Sequence, residues 1–358
     1  MRLYYLDALR SFLILCVVLV HSAQVYNPNK TWLIYSENTS IFANYLIELL
    51  VLLIMPTFFM LAGYFSVISF MHSLQRNFLS KRLLRLLVPF VTIVSTLNIL
   101  QAVLLVKLGW KHYILPSYVL NGDWIQHTWF LINLIVYTIL IYILTKYFKK
   151  STQLFVYILI NRFNSLNIYL LIAFLPLVNI ALMVLYKIIP HNILGINLTQ
   201  IIAFIPFYAF GIFLFLSKTL LNKFSNISIV ASATIVFISY LAINIFKIYD
   251  VLEYKLLYLY FKYLGTWFMS SLFFSLFYKY LNVKSQLLYK ISDASYTIYL
   301  THHILVVSFG ILFIYFNFQI YLGLPFLFLI SVLLSYYFHR KFVLSIPILQ
   351  FLLNGKVK

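Results

Sequence analysis

The chain opens with the stretch Arg2-Leu-Tyr-Tyr-Leu-Asp7-Ala-Leu-Arg10 and runs directly into an apolar segment that continues to His21. Arg10 and His21 are eleven positions apart, close to three turns of an α-helix, so both side chains lie on one helix face. At a rise of about 1.5 Å per residue they are roughly 16 Å apart along the axis, about half the ~30 Å hydrocarbon thickness of a bilayer. An ionisable group at that depth is costly and marks a candidate functional site. We therefore expect the rest of the chain to surround this pair.

The composition of the whole chain is that of a membrane protein. Of its 358 residues, 64% are hydrophobic and only 9% are charged, too few charges for the surface of a soluble globule. The net charge of +19 comes from basic residues between apolar runs. Because no nucleic-acid-binding motif accompanies them, the composition disfavours nucleic-acid binding. The single cysteine, Cys16, lies in the first apolar run, which excludes a disulfide framework and a cysteine-based metal site.

Ten apolar stretches are long enough to cross a bilayer. They fall at 9–26, 41–71, 83–106, 129–147, 166–187, 199–217, 227–247, 256–281, 295–317 and 322–344. The segment Leu154–Ile160 is too short to cross and is expected to lie along the interface. We predict an all-α, polytopic membrane protein with about ten transmembrane helices, forming a single membrane-embedded domain over residues 1–358.

The lysines and arginines indicate the orientation of these helices, since cytoplasmic loops are enriched in them. With the N-terminus inside, nineteen of the 26 basic residues fall on inner ends and loops, and Lys262 lies within a span. The outer loops hold six, at Lys30, Lys107, Lys111, Lys187, Lys247 and Lys255. This asymmetry predicts that both termini are cytoplasmic.

Glu48 is the first candidate partner for His21. In antiparallel neighbouring helices, Glu48 and His21 lie at matching depths below the outer surface. A carboxylate beside an imidazole fixes its tautomer and raises its basicity, the arrangement of a general base that takes a proton from a hydroxyl. Two structural alternatives stay open: Glu48 is satisfied by helix packing, and His21 makes an interhelical hydrogen bond.

A basic group is expected on the inner rim. Arg82 and Arg85 lie three residues apart at the start of the third span, and Asp7 lies three residues before Arg10, where the two can pair. Three guanidinium groups, on Arg10, Arg82 and Arg85, suit bidentate binding of phosphates. Anchoring of the helices by inner positive charge is an equally good interpretation.

The outer loop after the third span carries a group of aromatic and imidazole side chains. They are Trp110, His112, Trp124, His127 and Trp129, accompanied by Asp123. Such a group is typical of an aromatic belt at the membrane surface. A sugar-binding platform is the alternative, because flat apolar ring faces and a few polar groups suit a carbohydrate.

The ninth span begins with a second group of candidates. Helical spacing puts Ser295, Tyr299 and His302 on one face, and Tyr296, Tyr299 and His303 on an overlapping one. Two adjacent histidines are not expected to face the same cavity, so we predict that at most one of them is functional. No carboxylate or third histidine recurs nearby at ligand spacing, so no metal site is expected.

Together these features resemble the membrane-bound acyltransferase family 3. The resemblance covers nearly the whole chain and includes the plan of ten helices. Its motifs are Leu6-Asp7-Ala-Leu-Arg10, the spacing of Arg10 and His21, Met55-Pro-Thr-Phe-Phe-Met-Leu-Ala-Gly63-Tyr-Phe, Arg82-Leu-Leu-Arg85-Leu-Leu-Val-Pro89, Trp129-Phe-Leu, and Ser295-Tyr-Thr-Ile-Tyr-Leu-Thr-His302-His303. The segments 4–10 and 26–35 are most similar to a branch that is associated with succinylation of periplasmic glucans.

The resemblance implies an O-acyltransferase of the bacterial inner membrane. It implies that a succinyl or acetyl group moves from cytoplasmic acyl-CoA, a substrate rather than a tightly bound cofactor, to a hydroxyl of an extracytoplasmic glycan or polysaccharide. Joined with the residues above, it gives the hypothesis that Arg10, Arg82 and Arg85 bind the nucleotide phosphates and that His21, oriented by Glu48, is the general base. An acyl-histidine intermediate is an open variant. Further candidate lining residues are Asp7, Trp129, Tyr299, His302 and His303.

Two other classes of function compete with this hypothesis. A proton-coupled exporter of a glycan or lipid would use His21, Glu48 and His302 as a relay. Transporters often have two related halves, but the interruptions at Pro56, Gly63 and Pro89 have no clear counterpart in the second half. The other rival is a non-catalytic membrane partner in polysaccharide synthesis.

Overall fold

A computed structural model describes residues 3–71, 75–185, 191–248 and 252–355 of the protein. The α-helices are α1 (Tyr4–Gln24), α2 (Ile41–Met71), α3 (Gln75–Ile93), α4 (Ile99–Lys107), α5 (Leu115–Leu120), α6 (Trp129–Tyr147), α7 (Lys149–Ser165), α8 (Ile168–Leu185), α9 (Leu198–Leu216), α10 (Lys218–Ser225), α11 (Ile229–Phe246), α12 (Leu252–Tyr280), α13 (Gln286–Tyr315), α14 (Ile320–Phe338) and α15 (Pro347–Asn354). Strands β1 (Asn192–Ile193) and β2 (Ile196–Asn197) form a small antiparallel hairpin before α9.

The predicted all-α membrane fold is confirmed. Eight of the ten predicted spans coincide with helices, or joined helices, that are long and apolar enough to cross a membrane within the described residues. The other two predicted spans are also helical. Helix α8 is apolar but shorter than the eight helices above, and α12 is 29 residues long but rich in tyrosine and lysine. The count of ten and the cytoplasmic termini stay predictions, as does the interfacial position of Leu154–Ile160, which lies within α7.

Helix α1 lies at the centre of the bundle, where the opening stretch of the sequence predicts it. It packs against α2, α12, α13 and α14, and it is the most enclosed of the spanning helices in the described residues. One hydrogen bond of its buried face joins residues far apart in the sequence: Tyr5 Oη lies 3.2 Å from Ser225 Oγ. A helix that is enclosed on all sides by protein can carry polar groups at depths where lipid would exclude them.

Two glycines allow the backbones of α2 and α9 to touch. A Cβ on Gly63 would lie 2.0 Å from the carbonyl oxygen of Tyr208, and one on Gly211 would lie 1.9 Å from that of Met60. Small residues at helix crossings are how helices in a bilayer achieve close packing, since lipid tails compete for apolar contacts. The crossing fixes α2 against α9 at this level of the membrane.

Two π-helical turns lie next to α13. The first, Val94–Asn98, joins α3 to α4, and the second, His339–Val343, follows α14. The wider turn at Asn98 directs its side-chain amide to the carbonyl oxygens of Trp124 and Ile125, at 2.9 and 3.2 Å. Single π turns inside helices often occur at functional sites, and this one fixes the loop that leads into α6.

The glycine crossing gives a test of the fold. We expect Gly211→Ala to destabilise the protein by about 1–3 kcal/mol, because the added methyl group meets rigid backbone. The measurement is the thermal unfolding midpoint in detergent. Gly265→Ala is the matched control: its Cβ would lie 3.1 Å from a side-chain atom of Ser239 rather than against backbone. Equal midpoints for the two variants would contradict the close crossing.

Candidate active site

Four histidines meet inside the bundle and form what we call the histidine cluster: His21 on α1, His127 just before α6, and His302 and His303 on α13. The ring centroid of His21 lies 5.3 Å from that of His302 and 5.0 Å from that of His303. The ring of His127 stacks on His303 at 4.6 Å and meets His302 edge-on at 5.2 Å. The structure therefore brings together imidazoles that are nearly 300 positions apart in the sequence.

Hydrogen bonds fix the ring of His302. Its Nδ1 lies 3.0 Å from the carbonyl oxygen of Ile298 and 2.7 Å from that of Tyr299. Because carbonyls only accept, Nδ1 carries the hydrogen, and in the neutral ring Nε2 then has a free lone pair. This Nε2 is buried and has no hydrogen-bond partner within the described residues. His302 thus presents a hydrogen-bond acceptor inside the cluster.

His21 is the accessible member of the cluster. His127, His302 and His303 are at most 7% exposed, whereas His21 is only partly buried. The indole of Trp32, from the loop between α1 and α2, stacks on the His21 ring at 5.7 Å. Of the four rings, that of His21 is therefore the most exposed.

The first π-helical turn supports the rest of the cluster. One turn beyond Asn98, the buried amide of Gln101 lies with its Oε1 2.8 Å from His303 Nδ1. On the opposite side, Tyr299 donates its hydroxyl to the backbone oxygen of His127 at 2.6 Å. The first contact links α13 to α4 and the second links α13 to the segment before α6, so His303 and His127 are each held against a neighbouring element.

That at most one of His302 and His303 is functional stays a prediction, but the rings of both contact His21. Adjacent residues point about 100° apart on a helix, but here the His21 ring lies within contact of both imidazoles, whose planes are perpendicular. The imidazole rings contact one another through their faces and edges. Within the described residues, no group of three or more histidine, cysteine, aspartate or glutamate side chains is arranged to hold a metal ion.

The structure does not bring Glu48 to His21. The Glu48 carboxylate accepts a hydrogen bond from Tyr240 on α11 at 3.0 Å and lies 3.7 Å from the amine of Lys247. Helices α1 and α2 are neighbours, as expected, but a matching depth does not fix the rotation of a helix about its axis. Glu48 faces α11, and the rings that contact His21 are those of Trp32, His302 and His303.

The three predicted phosphate-binding arginines line one cavity at the other end of α1. This arginine cavity has a volume of about 660 Å³ and is lined by Arg10, Arg82 and Arg85, with Lys81 beside them. Asp293 supplies a carboxylate in the lining. The surplus of cationic groups suits a ligand that carries several phosphates.

Backbone and hydroxyl groups hold these guanidinium groups in place. Arg10 Nη2 donates to the backbone oxygen of Ser292 at 3.0 Å and to the Ser292 hydroxyl, and it lies 3.6 Å from the carboxylate of Asp7. Arg82 Nε donates to Thr138 Oγ1 at 3.0 Å. Asp7, a predicted lining residue, therefore acts on the arginine cavity through Arg10.

An apolar cavity adjoins the arginine cavity and extends along α1 towards the histidine cluster. It has a volume of about 260 Å³ and shares Arg10, Phe65, Ser295 and Tyr296 with the arginine cavity. At its far end it reaches Val17, one turn before His21, and Tyr299, which contacts the rings of His127 and His302. The predicted lining residue Tyr299 is thus at the junction between the two sites.

The predicted group of loop aromatics does not form one platform. Trp110 packs edge-on against Tyr35, and His112 is exposed. The Trp124 indole donates to the backbone oxygens of Val119 and Leu194, which attaches the β1–β2 hairpin. Burial raises the pKa of the Asp123 carboxyl above its ordinary value, and the nearby Lys111 ammonium opposes this shift.

Two members of that group have different surroundings. His127 turns inward to the histidine cluster, and Trp129 stacks on Phe204 and lines a separate cavity. Sequence reasoning did not assign His127 to the site and did not identify Trp32 or Gln101. The tripeptide Gln126-His-Thr just before Trp129 was the signal available for His127, since it places an imidazole at the start of a spanning helix.

The fold and these sites define a polytopic membrane acyltransferase. The family model described as an acyltransferase domain matches residues 3–340, so the chain belongs to the acyltransferase family 3. Among curated relatives, three proteins called glucans biosynthesis protein C are each 27% identical over 372 aligned positions, which cover 99% of this chain and 95% of the relative. They come from Salmonella agona (strain SL483), Salmonella paratyphi A (strain ATCC 9150 / SARB42) and Salmonella enteritidis PT4 (strain P125109). The family and branch expected from the sequence are confirmed, and no solved structure matches the chain.

The unequal exposure of the cluster predicts its order of chemical labelling. Diethyl pyrocarbonate acylates accessible, unprotonated imidazoles, so we expect His21 to be modified faster than His127, His302 or His303. Mass spectrometry of peptides from labelled protein measures the order, with the exposed His112 as the internal reference. Modification of His302 before His21 would contradict this arrangement of the cluster.

Proposed function

We propose that this protein transfers an acyl group from acyl-CoA, bound at the inner side of the membrane, to a hydroxyl of an extracytoplasmic glycan. The observation that carries the proposal is the order of three features along α1: the arginine cavity, the apolar cavity that shares four lining residues with it, and the histidine cluster beyond Val17 and Tyr299. A group of cationic side chains and a group of imidazoles thus lie at the two ends of an apolar cavity. That combination suits a donor with an anionic head and a thin arm that ends in a thioester.

In this proposal the acyl end of the donor enters the protein first, and its CoA head group stays at the arginine cavity. The phosphates of CoA bind Arg10, Arg82 and Arg85, whose guanidinium groups form bidentate, charge-assisted hydrogen bonds with phosphate oxygens. The thiol-bearing arm extends past Phe65 and Tyr296 through the apolar cavity. The thioester then lies near Tyr299, within reach of the cluster, so the cytoplasmic and outer substrates meet without either one crossing the membrane.

His21 is the proposed general base. Its neutral imidazole takes the proton from the acceptor hydroxyl as the oxygen attacks the thioester carbonyl. The carbon–sulfur bond breaks, and the CoA thiolate recovers the proton from the imidazolium. In place of Glu48, the rings of His302 and His303, whose centroids lie 5.3 and 5.0 Å from that of His21, position the His21 ring by packing against it.

The relatives support the class of acceptor. Their name, glucans biosynthesis protein C, assigns them to glucan biosynthesis, and they align with almost the whole of this chain. We therefore propose a glucan or a related neutral glycan as the acceptor and succinyl or another short acyl group as the group transferred. Acyl-CoA acts as a substrate, and no tightly bound cofactor is required.

Labelled acyl-CoA tests the reaction. Purified protein in lipid vesicles is incubated with acyl-labelled succinyl-CoA or acetyl-CoA and with gluco-oligosaccharides. The expected result is label in the oligosaccharide together with an equal amount of free CoA thiol. Oligosaccharide transport with no label transfer and no thiol release would favour the transporter alternative and overturn the proposal.

Removal of the base gives the sharpest prediction for the chemistry. His21→Ala should lower the transfer rate by about 10²–10⁴-fold, the usual contribution of a general base. The protein should still insert and elute as a single species in detergent. His112→Ala is the control, because it removes an exposed imidazole outside the cluster. Unchanged transfer in His21→Ala would exclude His21 as the base.

The donor site has its own prediction. Arg85 is exposed at the arginine cavity, so Arg85→Ala should weaken acyl-CoA binding with little effect on folding. Loss of a charge-assisted hydrogen bond costs about 1.5–3 kcal/mol, which raises the KM for acyl-CoA by about 10–100-fold. Arg162→Ala removes an exposed arginine of α7 outside this cavity and serves as the control for net charge. Equal KM values for the two variants would contradict phosphate binding at the arginine cavity.

A further inference from the structure

A second polar cavity lies on the other side of α6 from the donor path. It has a volume of about 200 Å³ and is bounded by the loop before α6, the β1–β2 hairpin and the start of α9. Five amide side chains line it: Asn121, Gln126, Asn133, Asn197 and Gln200. We call it the amide cavity. Its size is below the roughly 300–1,000 Å³ of pockets for drug-sized ligands, so it suits a single small ring.

Asn133 is the most deeply buried of these five amides, since its side chain is only 2% exposed. Its side chain also interacts with the hydroxyl of Tyr137, the residue one turn further along α6. Asn133 is therefore held at the inner end of the amide cavity, and the less buried Gln126 and Gln200 line the same cavity.

The side chains that line the amide cavity indicate which class of ligand fits it. Within the described part of the chain, no aspartate, glutamate, lysine or arginine lines the cavity, so these lining residues offer no charge to a phosphate or a carboxylate. Amide groups both donate and accept hydrogen bonds, as sugar hydroxyls do. Trp129 adds an aromatic surface at the same cavity. Neutral, hydroxyl-rich rings match this combination of groups.

The amide cavity and the histidine cluster share one short segment of the chain, residues 126–129. Gln126 and Trp129 line the amide cavity, and His127 between them stacks on His303. On the next turn of α6, Asn133 faces the amide cavity and Leu134 faces the apolar cavity of the donor path. Helix α6 therefore lies between the amide cavity and the apolar cavity, and the first turn of α6 contributes lining residues to both.

Close backbone contacts give the cavity a rigid rim. Gly122 and Gly195 both have φ near +80°, and a Cβ on either would lie 2.4 Å from backbone atoms of the other. Asn192 Nδ2 also donates to the backbone oxygen of Leu120 at 3.1 Å. The hairpin is thus attached directly to the loop before α6. A rigid rim lowers the entropic cost of binding.

We propose that the amide cavity binds one neutral sugar residue of the acceptor and thereby positions the next residue of the glycan at His21. This inference rests on the proposed function for the identity of the acceptor. It assigns to Asn133 and Gln200 the recognition of sugar hydroxyls. These are positioning residues, because the reacting hydroxyl belongs to the neighbouring sugar residue at the histidine cluster.

Kinetics with two variants test the assignment. Asn133→Leu and Gln200→Leu remove amides from different helices, and each should raise the KM for the gluco-oligosaccharide by about tenfold or more. The KM for acyl-CoA should stay within about twofold of its original value. Asn244→Leu, which removes an exposed asparagine of α11, is the matched control. Unchanged KM for the oligosaccharide in both test variants would overturn the proposal, and Gln200→Leu decides if Asn133→Leu fails to fold.

Binding without turnover separates this inference from the proposed function. Saturation-transfer NMR with the same gluco-oligosaccharide and no acyl-CoA should detect binding to the original protein and to Asn244→Leu, and much weaker binding to the two test variants. That result would support the sugar site even if no acyl transfer were found. Equal binding by all four proteins would overturn the sugar site even if His21→Ala abolished transfer.

Discussion

The structure depends on one constraint: an ionisable or strongly polar side chain in the middle of a bilayer must be enclosed by protein. Helix α1 meets this constraint because other helices surround it, and towards its two ends it carries Arg10 and His21. The enclosing helices supply the partners that lipid cannot. Ser292 accepts hydrogen bonds from Arg10, and the rings of His302 and His303 lie against His21.

The same constraint separates the two substrates of the proposed reaction. Cationic side chains lie at one end of α1, where water and counter-ions lower their cost, and the imidazoles of the histidine cluster lie at the other. In the proposed reaction, the apolar lining between them keeps water, which competes with the acceptor hydroxyl, away from the thioester. A membrane enzyme arranged in this way transfers only the acyl group across the barrier, while the anionic donor and the polar acceptor remain on their own sides.

Irregular helical turns do much of the positioning. A regular α-helix across residues 94–98 would rotate the following segment, and Asn98 and Gln101 would no longer reach the loop before α6 and His303. On the other side of α13, the π-helical turn at 339–343 places His339 Nδ1 2.8 Å from the hydroxyl of Thr297. The two turns hold α13 between them, and so they fix the pair of histidines that it carries.

The sequence by itself determined the membrane fold, the central role of the first helix and the grouping of Arg10 with the two arginines of α3. These follow from local properties, namely hydrophobic length, charge and helical spacing, which do not depend on distant contacts. Only the tertiary structure decided that Glu48 faces α11. It also decided that His127 lies in the histidine cluster and not beside the loop aromatics. Finally, it decided that His302 and His303 both contact His21. Each of these depends on the rotation of a helix about its axis or on the path of a loop, and those are set by packing between segments far apart in the chain.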